Sequence, residues 1–348
     1  MRIVITARQY LPALGGTIQY VSMLASEFSR LGHQVKLATR TREADARDAD
    51  LPFTVFRCPS WETMITVADW ADAVLQVEPS LQDVWPFLLK GKPWFPTLHI
   101  GYTLKGLTKK DAVLRFLQRA SLQFGHPIGV SRYVLDSWGG PGSSILNPYD
   151  PTVFRSQPET GGRDVDVLFV GRINEDKGVL VLIEVLRRLA DEGLVQNARY
   201  IGAGPALAEL DARVKQSGLS EVVTLAGKAE PRQVAKWMQR ARVLAFPTLP
   251  VWLEASPLTL LEALACGCEV VASDIGGVAE TGGGFIRLVK AGDADALHEG
   301  LRKALRGDSM RTAGVSEYLK KQTLAEVAGR YLELMQSAVK RQSRSCIG

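Results

Sequence analysis

Two cationic side chains stand close together in the chain where a predicted strand gives way to a helix. The apolar run Val165–Val170 predicts a buried strand, and Arg172 and Lys177 follow it before the next helix. Gly171 and Gly178 border them and allow a ligand to approach the backbone closely. Two cations in such a loop suit a diphosphate. The alternative is a pair of surface ion pairs with the two carboxylates that lie between them in sequence.

Two carboxylates follow a later predicted strand, Val243–Phe246. Pro257 suits the first helical position and Ser256 the N-cap, so a helix begins there and offers its free amides to a phosphate. Glu254 stands in the loop just before this helix. Glu262 lies about two turns along it among apolar neighbours, so its carboxylate needs partners. A ribose diol offers two hydroxyl donors to one carboxylate, and a cation inside the domain is the alternative.

These residues need a fold in which strand ends and helix starts meet. Short apolar strands alternate with helices along the chain, which predicts parallel sheets covered by helices on both faces. The alternation runs twice, on either side of a linker rich in proline and glycine at 147–163. We therefore predict an α/β protein of two doubly wound, Rossmann-like domains facing a central cleft. The domains are expected at 1–150 and 151–323, and a final helix at about 324–342 is expected to pack back on the first.

The individual elements follow from the periodicity of the apolar residues. The predicted strands are Ile3–Thr6, Gln34–Thr39, Phe53–Arg57, Ala73–Val77, Trp94–His99, Pro127–Val130, Val165–Val170, Arg199–Ile201, Val222–Leu225, Val243–Phe246, Val270–Ser273 and Phe285–Val289. In sheets of this kind ligands bind at the carboxyl ends of the strands, so the loops there are the places to look for chemistry.

Five sequence elements in this order resemble the retaining glycosyltransferases of family 4, which have the GT-B fold. They are the R-x4-K pair Arg172 and Lys177, the turn Ile201–Pro205, the E-x7-E pair Glu254 and Glu262, the run Leu261–Gly267 and the segment Ser273–Glu280. The resemblance is good over about 166–305. It implies that 151–323 is a nucleotide-sugar-binding domain and that 1–150 is the acceptor-side domain.

The resemblance also implies roles for individual residues. Arg172 and Lys177 would neutralise the diphosphate of the donor, so that no metal or other cofactor is needed. Glu262 would hold the ribose hydroxyls, and Glu254 would lie near the donor sugar.

Further donor contacts follow from the same resemblance. The amides around Leu258 and Thr259 would meet the distal phosphate, next to Ser256 and Gly171. The nucleotide base would lie against the loop around Gly227 and Lys228. Ser256-Pro257 stands where many relatives have an aromatic residue and a glycine, which leaves the identity of the sugar open.

The first half of the chain is a weaker match. Gly15 and Gly16 follow the first strand and allow close approach of a phosphate or sugar, unless they form a simple strand–helix turn. His99 ends the strand Trp94–His99. Relatives often have a histidine here that reaches the donor sugar or the acceptor, and the alternative is a structural histidine.

The segment Lys90–Arg132 is strongly basic, with eight lysine and arginine residues against one acidic residue. A helix within it, at about 108–124, has an apolar stripe that includes Val113, Phe116 and Leu117. This pattern suits a helix lying on an anionic membrane surface, or a patch that holds an anionic acceptor. The alternative is an ordinary domain helix with an apolar core face and a basic exterior.

Composition limits the remaining classes. The 348 residues are 46% apolar and 23% charged, and the net charge of +5 is too small to argue for nucleic-acid binding. No run of 18 apolar residues predicts a membrane span, so a cytoplasmic protein, peripheral at most to the inner face of a membrane, is expected. The cysteines have no zinc-site spacing. The Asp-x-Asp pairs are expected to be solvated carboxylates rather than metal ligands: Asp48 and Asp50, Asp164 and Asp166, and Asp293 and Asp295.

The expected reaction is therefore transfer of a sugar from a nucleotide-diphosphate sugar to an acceptor hydroxyl, with retention of anomeric configuration. The donor phosphate would accept the proton of the acceptor, and positioning and charge stabilisation would supply the catalysis. A non-catalytic nucleotide-sugar-binding partner, a nucleotide-sugar epimerase and a polymerase resembling glycogen synthase are the alternatives. A dinucleotide dehydrogenase is disfavoured, because no G-x-G-x-x-G follows the first strand.

Overall fold

The computed structural model describes residues 1–13, 15–43, 45–103, 106, 108–156, 162–251 and 253–345. The chain divides into two compact units. Unit 1 is Met1–Pro148 together with Leu324–Gly348, and unit 2 is Tyr149–Thr323. The predicted linker contains residues 157–161, which lie outside the described residues.

Unit 1 is built on a parallel sheet. Its described strands are β1 (Arg2–Ala7), β2 (Gln34–Thr39), β3 (Thr54–Arg57), β4 (Ala73–Val77), β5 (Trp94–Leu98), β6 (Ile128–Gly129) and β7 (Ser143–Ser144). They lie in the order β3-β2-β1-β4-β5-β6-β7, and every adjacent pair is parallel. Because β4 and β5 are buried along their whole length, they appear in the sequence as nearly continuous apolar runs.

Helices cover both faces of this sheet. The described helices of unit 1 are α1 (Gly16–Arg30), α2 (Trp61–Trp70), α3 (Leu81–Leu89), α4 (Lys109–Ser121), α5 (Arg132–Trp138) and, from the end of the chain, α13 (Leu324–Ser345). The apolar face of α1 and the side chains of Val327, Tyr331 and Met335 on α13 share one buried core with β1. Tyr20 on α1 donates a buried hydrogen bond of 2.7 Å to the Tyr331 hydroxyl.

Unit 2 repeats this architecture. Its described strands are β8 (Val165–Val170), β9 (Ala198–Ile201), β10 (Val223–Leu225), β11 (Ala241–Phe246), β12 (Glu269–Asp274) and β13 (Arg287–Lys290). Their order is β10-β9-β8-β11-β12-β13, again with all pairs parallel. In both units the first strand is central and the chain builds outward on each side of it, which is the doubly wound order that the sequence predicted.

The helices of unit 2 cover both faces of its sheet, and each face has its own apolar core. The described helices are α6 (Val179–Asp191), α7 (Leu207–Gln216), α8 (Pro231–Arg240), α9 (Leu258–Ala265), α10 (Val278–Gly282), α11 (Ala294–Leu305) and α12 (Val315–Lys320). One core contains α6, α7 and α11, and the other contains α8, α9 and α12. Successive residues from Val167 to Val170 in β8 and from Val243 to Phe246 in β11 point to opposite cores, as the alternation of a strand requires.

The sequence analysis did not predict three short helices, α2, α5 and α10. Local side-chain caps fix the start of two of these helices. Ser60 caps α2 by accepting the Thr63 amide, and Ser131 caps α5 by accepting the Val134 amide. The strand predicted at Pro127–Val130 is assigned as Ile128–Gly129, although the Val130 amide still donates to the Leu98 carbonyl of β5 and the Pro127 carbonyl accepts the Ser143 amide of β7. Helices of one or two turns have too few residues to establish a periodicity.

The apolar stripe of α4 does not face the core of unit 1. Val113 is 59% exposed, Phe116 60% and Leu117 47%, whereas Ser121 is the only described residue of the helix that is buried. The prediction of an ordinary domain helix with an apolar core face is therefore wrong. Within the described residues, no helix is long and apolar enough to cross a membrane.

Among the Asp-x-Asp carboxylates, Asp50, Asp164 and Asp295 are exposed, as expected, whereas Asp166 is held within the fold. Asp164 forms an ion pair with Arg240, and Asp166 pairs with Arg242 at 3.0 Å while accepting two backbone amides at the start of β9. The side chain of Asp166 is only 16% exposed. Asp293 caps α11 by accepting the Ala296 amide, as expected.

Candidate functional site

The loops at the carboxyl ends of the strands of unit 2 are joined by backbone hydrogen bonds. The Leu249 amide, after β11, donates to the Asp176 carbonyl, after β8, at 2.8 Å. The Gly202 amide, after β9, donates to the Gly227 carbonyl, after β10, at 2.8 Å. The Ile173 amide, after β8, also donates to the Ala203 carbonyl, after β9, at 3.0 Å. Together with a contact between the loop before α9 and the loop after β12, these bonds fix the five loops relative to one another.

That last contact involves the backbone of Glu254. The Gly277 amide donates to the Glu254 carbonyl at 2.8 Å, and a Cβ on Gly276 would lie 2.1 Å from the same oxygen. Gly276 also has a φ of +60°, so a side chain is excluded there for two reasons. The loop after β12 therefore fixes the backbone of Glu254.

Lys177 and Glu254 form the centre of the candidate site. The Lys177 ammonium donates to the Glu254 carboxylate across 77 residues of sequence, and the Thr248 hydroxyl donates to the same oxygen at 3.0 Å. The side chains are only 13% and 12% exposed. The structure thus brings together two residues that the sequence placed in separate motifs, and it adds Thr248, which no motif indicated.

Arg172 lies two residues after β8 and is exposed. Gly171, beside it, donates its amide to the Ile201 carbonyl at 3.0 Å and has the Phe169 ring 3.4 Å from where a Cβ would lie. The loop continues to Asn174, whose side-chain oxygen is buried without a hydrogen-bond partner among the described residues. Sequence analysis did not single out Asn174, because an asparagine in a loop is ordinary.

Glu262 is buried on α9 at 7% exposure. Within the described residues no cation or hydrogen-bond donor pairs with its side chain, so the alternative of an internal ion pair is wrong for this part of the chain. Burial away from water raises the pKa of Glu262 to about 8. The carboxyl is therefore mainly protonated near neutral pH, and it can both donate and accept a hydrogen bond.

The start of α9 differs from the prediction by one residue. Pro257 is the N-cap and Leu258 the first helical residue, so Ser256 as N-cap is wrong. Ser256 is instead buried and accepts a hydrogen bond of 3.3 Å from the Thr281 hydroxyl. Among the described side chains none caps this helix, and the first amides, at Leu258 and Thr259, have no intrahelical acceptor.

The predicted base-binding loop lies after β10. Gly227 has a φ of +70°, which a glycine adopts without strain, and its carbonyl anchors the turn after β9. Lys228 beside it is exposed.

The remaining predicted residues belong to unit 1. Gly15 and Gly16 begin α1, and a Cβ on either would meet no atom within 4 Å. Packing within the described residues therefore gives no reason for glycine at these two positions. The space around them leaves room for a ligand to approach the backbone.

His99 follows β5 and is held on three sides. The Tyr20 ring meets it edge-on with 4.5 Å between centroids, and its backbone amide donates to Glu78 at 2.8 Å. Its Nε2 lies 3.1 Å from the Thr97 hydroxyl, which donates its own proton to the Gln76 carbonyl. Burial lowers the pKa of His99 to about 3, so the imidazole is neutral.

Among the described residues no three His, Cys, Asp or Glu side chains are grouped closely enough to hold a metal ion. Cys266 and Cys268 are buried free thiols, whereas Cys58 is exposed.

The second half of the chain is similar to proteins of known family. Residues 152–321 match the model of the family described as glycosyl transferases group 1. A D-inositol 3-phosphate glycosyltransferase of Xylanimonas cellulosilytica is 36% identical over 135 residues, which are 38% of this chain and 32% of that protein. A phosphatidyl-myo-inositol mannosyltransferase of Mycobacterium leprae is 30% identical over 186 residues, which are 52% of this chain and 48% of that protein. The matched stretch thus spans a third to a half of the length of these relatives.

The fold of the whole chain has a solved counterpart. The crystal structure of Anabaena Alr3699/HepE in complex with UDP superimposes with a TM-score of 0.79 at 16% identity, covering 97% of this chain and all of that one. At this identity the likeness establishes the shared fold, which is the GT-B architecture of two parallel-sheet α/β units.

Proposed function

We propose that this chain, whose residues 152–321 match the model of the glycosyl transferases group 1 family, is a retaining glycosyltransferase that uses a nucleotide-diphosphate sugar. The observation that carries the proposal is the largely buried pair of Lys177 and Glu254, which sits where the strand-end loops of unit 2 meet. A binding protein for an uncharged ligand has no need of a lysine ammonium held in such a place.

The proposed reaction exchanges one bond at the anomeric carbon of the donor sugar for another. The bond between the anomeric carbon and the diphosphate oxygen breaks, and the acceptor oxygen bonds to the same face of the sugar. The acceptor proton passes to the departing phosphate oxygen. Arg172 and Lys177 balance the charge that develops on the leaving diphosphate, which is the role of a metal ion elsewhere, so the mechanism is proposed to be metal-independent.

The nucleotide is held by the rest of unit 2. The protonated carboxyl of Glu262 exchanges hydrogen bonds with a ribose diol, and the amides of Leu258 and Thr259 bind the distal phosphate. The base lies against Gly227 and Lys228. Glu254, held by Lys177 and Thr248, faces the donor sugar, next to Ser256 and Gly171.

Unit 1 supplies the acceptor side. The open backbone at Gly15 and Gly16 admits a phosphate or sugar, and the neutral imidazole of His99 forms a hydrogen bond with a sugar hydroxyl. The acceptor is a hydroxyl of a glycan, a glycolipid or a small glycoside.

Ligand-dependent thermal stability is the first test. The protein is heated with nucleoside diphosphates and their sugars, with and without EDTA. A ligand at about 100 times its Kd adds about 2.7 kcal/mol, and the proposal expects this for one base, unchanged by EDTA. A shift that EDTA abolishes would contradict metal independence.

Turnover of the donor found in this way is measured next. Arg172→Ala and Lys177→Ala are expected to lower kcat roughly 100-fold. Lys215→Ala, which removes an exposed lysine of α7 from its pair with Asp211, is the control and keeps full activity. Binding without turnover on any acceptor would favour the non-catalytic partner, and release of an epimer would favour the epimerase.

We also propose that α4 rests on an anionic membrane surface. Its exposed apolar residues lie beside Lys109, Lys110 and Arg119, a combination that suits insertion among lipid headgroups of negative charge. Lys105, in the same basic segment, lies outside the described residues.

Vesicle co-sedimentation tests this contact. Binding to vesicles containing phosphatidylglycerol is expected, with little binding to neutral phosphatidylcholine and a decrease in high salt. Phe116→Ser should weaken it several-fold, whereas Trp61→Ser, at a residue of α2 that is 62% exposed, should not. Equal binding by both variants would contradict the proposal, and so would binding only to a soluble anionic acceptor.

A further inference from the structure

The His99 imidazole, immediately after β5, is bordered by an aromatic ring from another element. The centroid of the Tyr20 ring, on α1, lies 4.5 Å from that of the imidazole, and the two planes meet at 71°. The His99 Nε2 also lies 3.1 Å from the Thr97 hydroxyl, which donates to the Gln76 carbonyl at 3.3 Å. Of these two contacts with the ring, only that of Tyr20 comes from an element other than β5.

Tyr20 also links the imidazole to the glycine turn of unit 1. The helix α1 begins at Gly16, and Tyr20 follows four residues later, about 6 Å along the helix axis. The first turn of α1 therefore connects the open backbone of Gly15 and Gly16 with the ring that borders His99. The two places in unit 1 that the sequence indicated as binding residues thus both lie next to Tyr20.

The position of Tyr20 is set in turn by the last helix of the chain. Tyr20 is 1% exposed and Tyr331, on α13, is fully buried. A hydrogen bond of 2.7 Å joins their hydroxyls, and the near-perpendicular rings have centroids 6.4 Å apart. A buried hydroxyl without a partner costs free energy, so each tyrosine holds the other in place. Two phenylalanines would fill the same space without fixing one ring against the other.

We propose that Tyr20 is a positioning residue for His99, and that Tyr331 fixes Tyr20 in this role. The imidazole is then oriented beside the turn of Gly15 and Gly16 before a ligand binds, which removes part of the entropic cost of the reaction. That the imidazole meets a sugar hydroxyl rests on the proposed function. The final helix thus contributes to the acceptor side of the site through a side chain that is itself fully buried.

Nuclear magnetic resonance of the unliganded protein tests this orientation without any turnover. With isotope-labelled histidine the chain gives signals from four imidazoles, and the signal lost in His99→Gln belongs to His99. Tyr331→Phe keeps both aromatic rings but removes the bond between the hydroxyls. The Tyr20 ring should then shift, and its ring current should move the His99 signal. Tyr200→Phe is the matched control, because it removes a buried hydroxyl that donates to the Val179 carbonyl in unit 2, and it should leave the signal in place.

A double-mutant cycle shows whether the two tyrosines act as one unit. Tyr20→Phe and Tyr331→Phe break the same hydrogen bond, so Tyr331→Phe should not move the His99 signal further once Tyr20→Phe is present. A His99 signal that is unchanged in Tyr331→Phe, or that moves as far in Tyr200→Phe, would overturn the proposal. A further displacement in the double variant would overturn it as well.

Transfer is measured in the same variants. Tyr331→Phe is expected to lower kcat about tenfold, while the Kd of the nucleoside diphosphate stays the same and Tyr200→Phe keeps full activity. In His99→Gln the same change should have no further effect on kcat, because Tyr331 acts only through the imidazole. No loss of kcat in Tyr331→Phe, or an equal loss in His99→Gln, would overturn the role in transfer. If no donor is turned over while the resonance results are as expected, the proposed function fails and the positioning of His99 by Tyr20 stands.

Discussion

At the scale of single residues, the most informative side chain is the buried carboxyl of Glu262. A helix of otherwise apolar residues holds it with no partner among the described residues, and its pKa is raised to about 8. A site that is incomplete without its ligand has this character, since the ligand provides the hydrogen bonds that the protein omits.

Glu262 should make the stability of the protein fall as the pH rises. In the unfolded chain the carboxyl ionises around its ordinary pKa of 4.5, whereas in the folded chain it stays protonated up to about 8. The folded state therefore binds more protons between these values, and its advantage is complete below 4.5 and lost above 8. Chemical denaturation between pH 7 and 8 should show the free energy of unfolding falling by up to about 1.4 kcal/mol per pH unit from this group.

Glu262→Gln should remove that part of the slope. Glu317→Gln, at an exposed glutamate of α12, should leave it as in the wild type. Glu78, whose pKa is raised to about 7, contributes in the same direction, so the part of the slope that belongs to Glu262 is the difference between the wild type and Glu262→Gln. A slope that Glu262→Gln does not change would mean that the carboxyl is not buried and unpaired as described.

At the scale of elements, the strand-end loops are fixed by glycines that face backbone atoms. A Cβ on Gly202 would lie 1.8 Å from the Gly171 carbonyl oxygen, next to the loop of Arg172. We expect Gly202→Ala to displace that loop and to lower both stability and donor affinity. Gly193→Ala provides the control, because Gly193 has a φ of +71° but a Cβ there meets no atom within 4 Å.

The two variants differ in what they cost. Gly193→Ala should lower the free energy of unfolding by about 1 kcal/mol, through its left-handed backbone alone. Gly202→Ala should cost at least about 2 kcal/mol more, and it alone should weaken binding of the nucleoside diphosphate in calorimetry. Equal effects of the two changes would show that the turn after β9 does not support the Arg172 loop.

The sequence predicts the elements well where burial imposes a long pattern. Strands such as Ala73–Val77 and Val165–Val170 have the predicted bounds, because both faces of each are covered. Motif spacing likewise indicated Lys177 and Glu254, though not their direct contact. Thr248 and Tyr20 could not be found from the sequence, because their importance comes from which loop the fold brings beside them.

At the scale of the whole molecule, the final helix of the chain packs in the first unit. The final helix α13 places Val327, Tyr331 and Met335 in the same core as β1 and α1, so the last residues complete unit 1 rather than unit 2. The segment 152–321, which matches the family model, lies within unit 2 and does not contain α13. An activity of that segment alone would therefore lack unit 1.

Truncation of one buried methionine in each unit should destabilise that unit alone. Met335, on α13, and Met238, on α8, are both fully buried. Met335→Ala should destabilise unit 1 by about 2–5 kcal/mol through loss of apolar contact and the cavity left behind, and Met238→Ala should do the same to unit 2. Amide hydrogen exchange separates them, because Met335→Ala should speed exchange in β1 and β4 while β8 and β11 stay protected. The opposite pattern is expected for Met238→Ala, and a loss of protection in β8 and β11 from Met335→Ala would mean that α13 supports unit 2 as well.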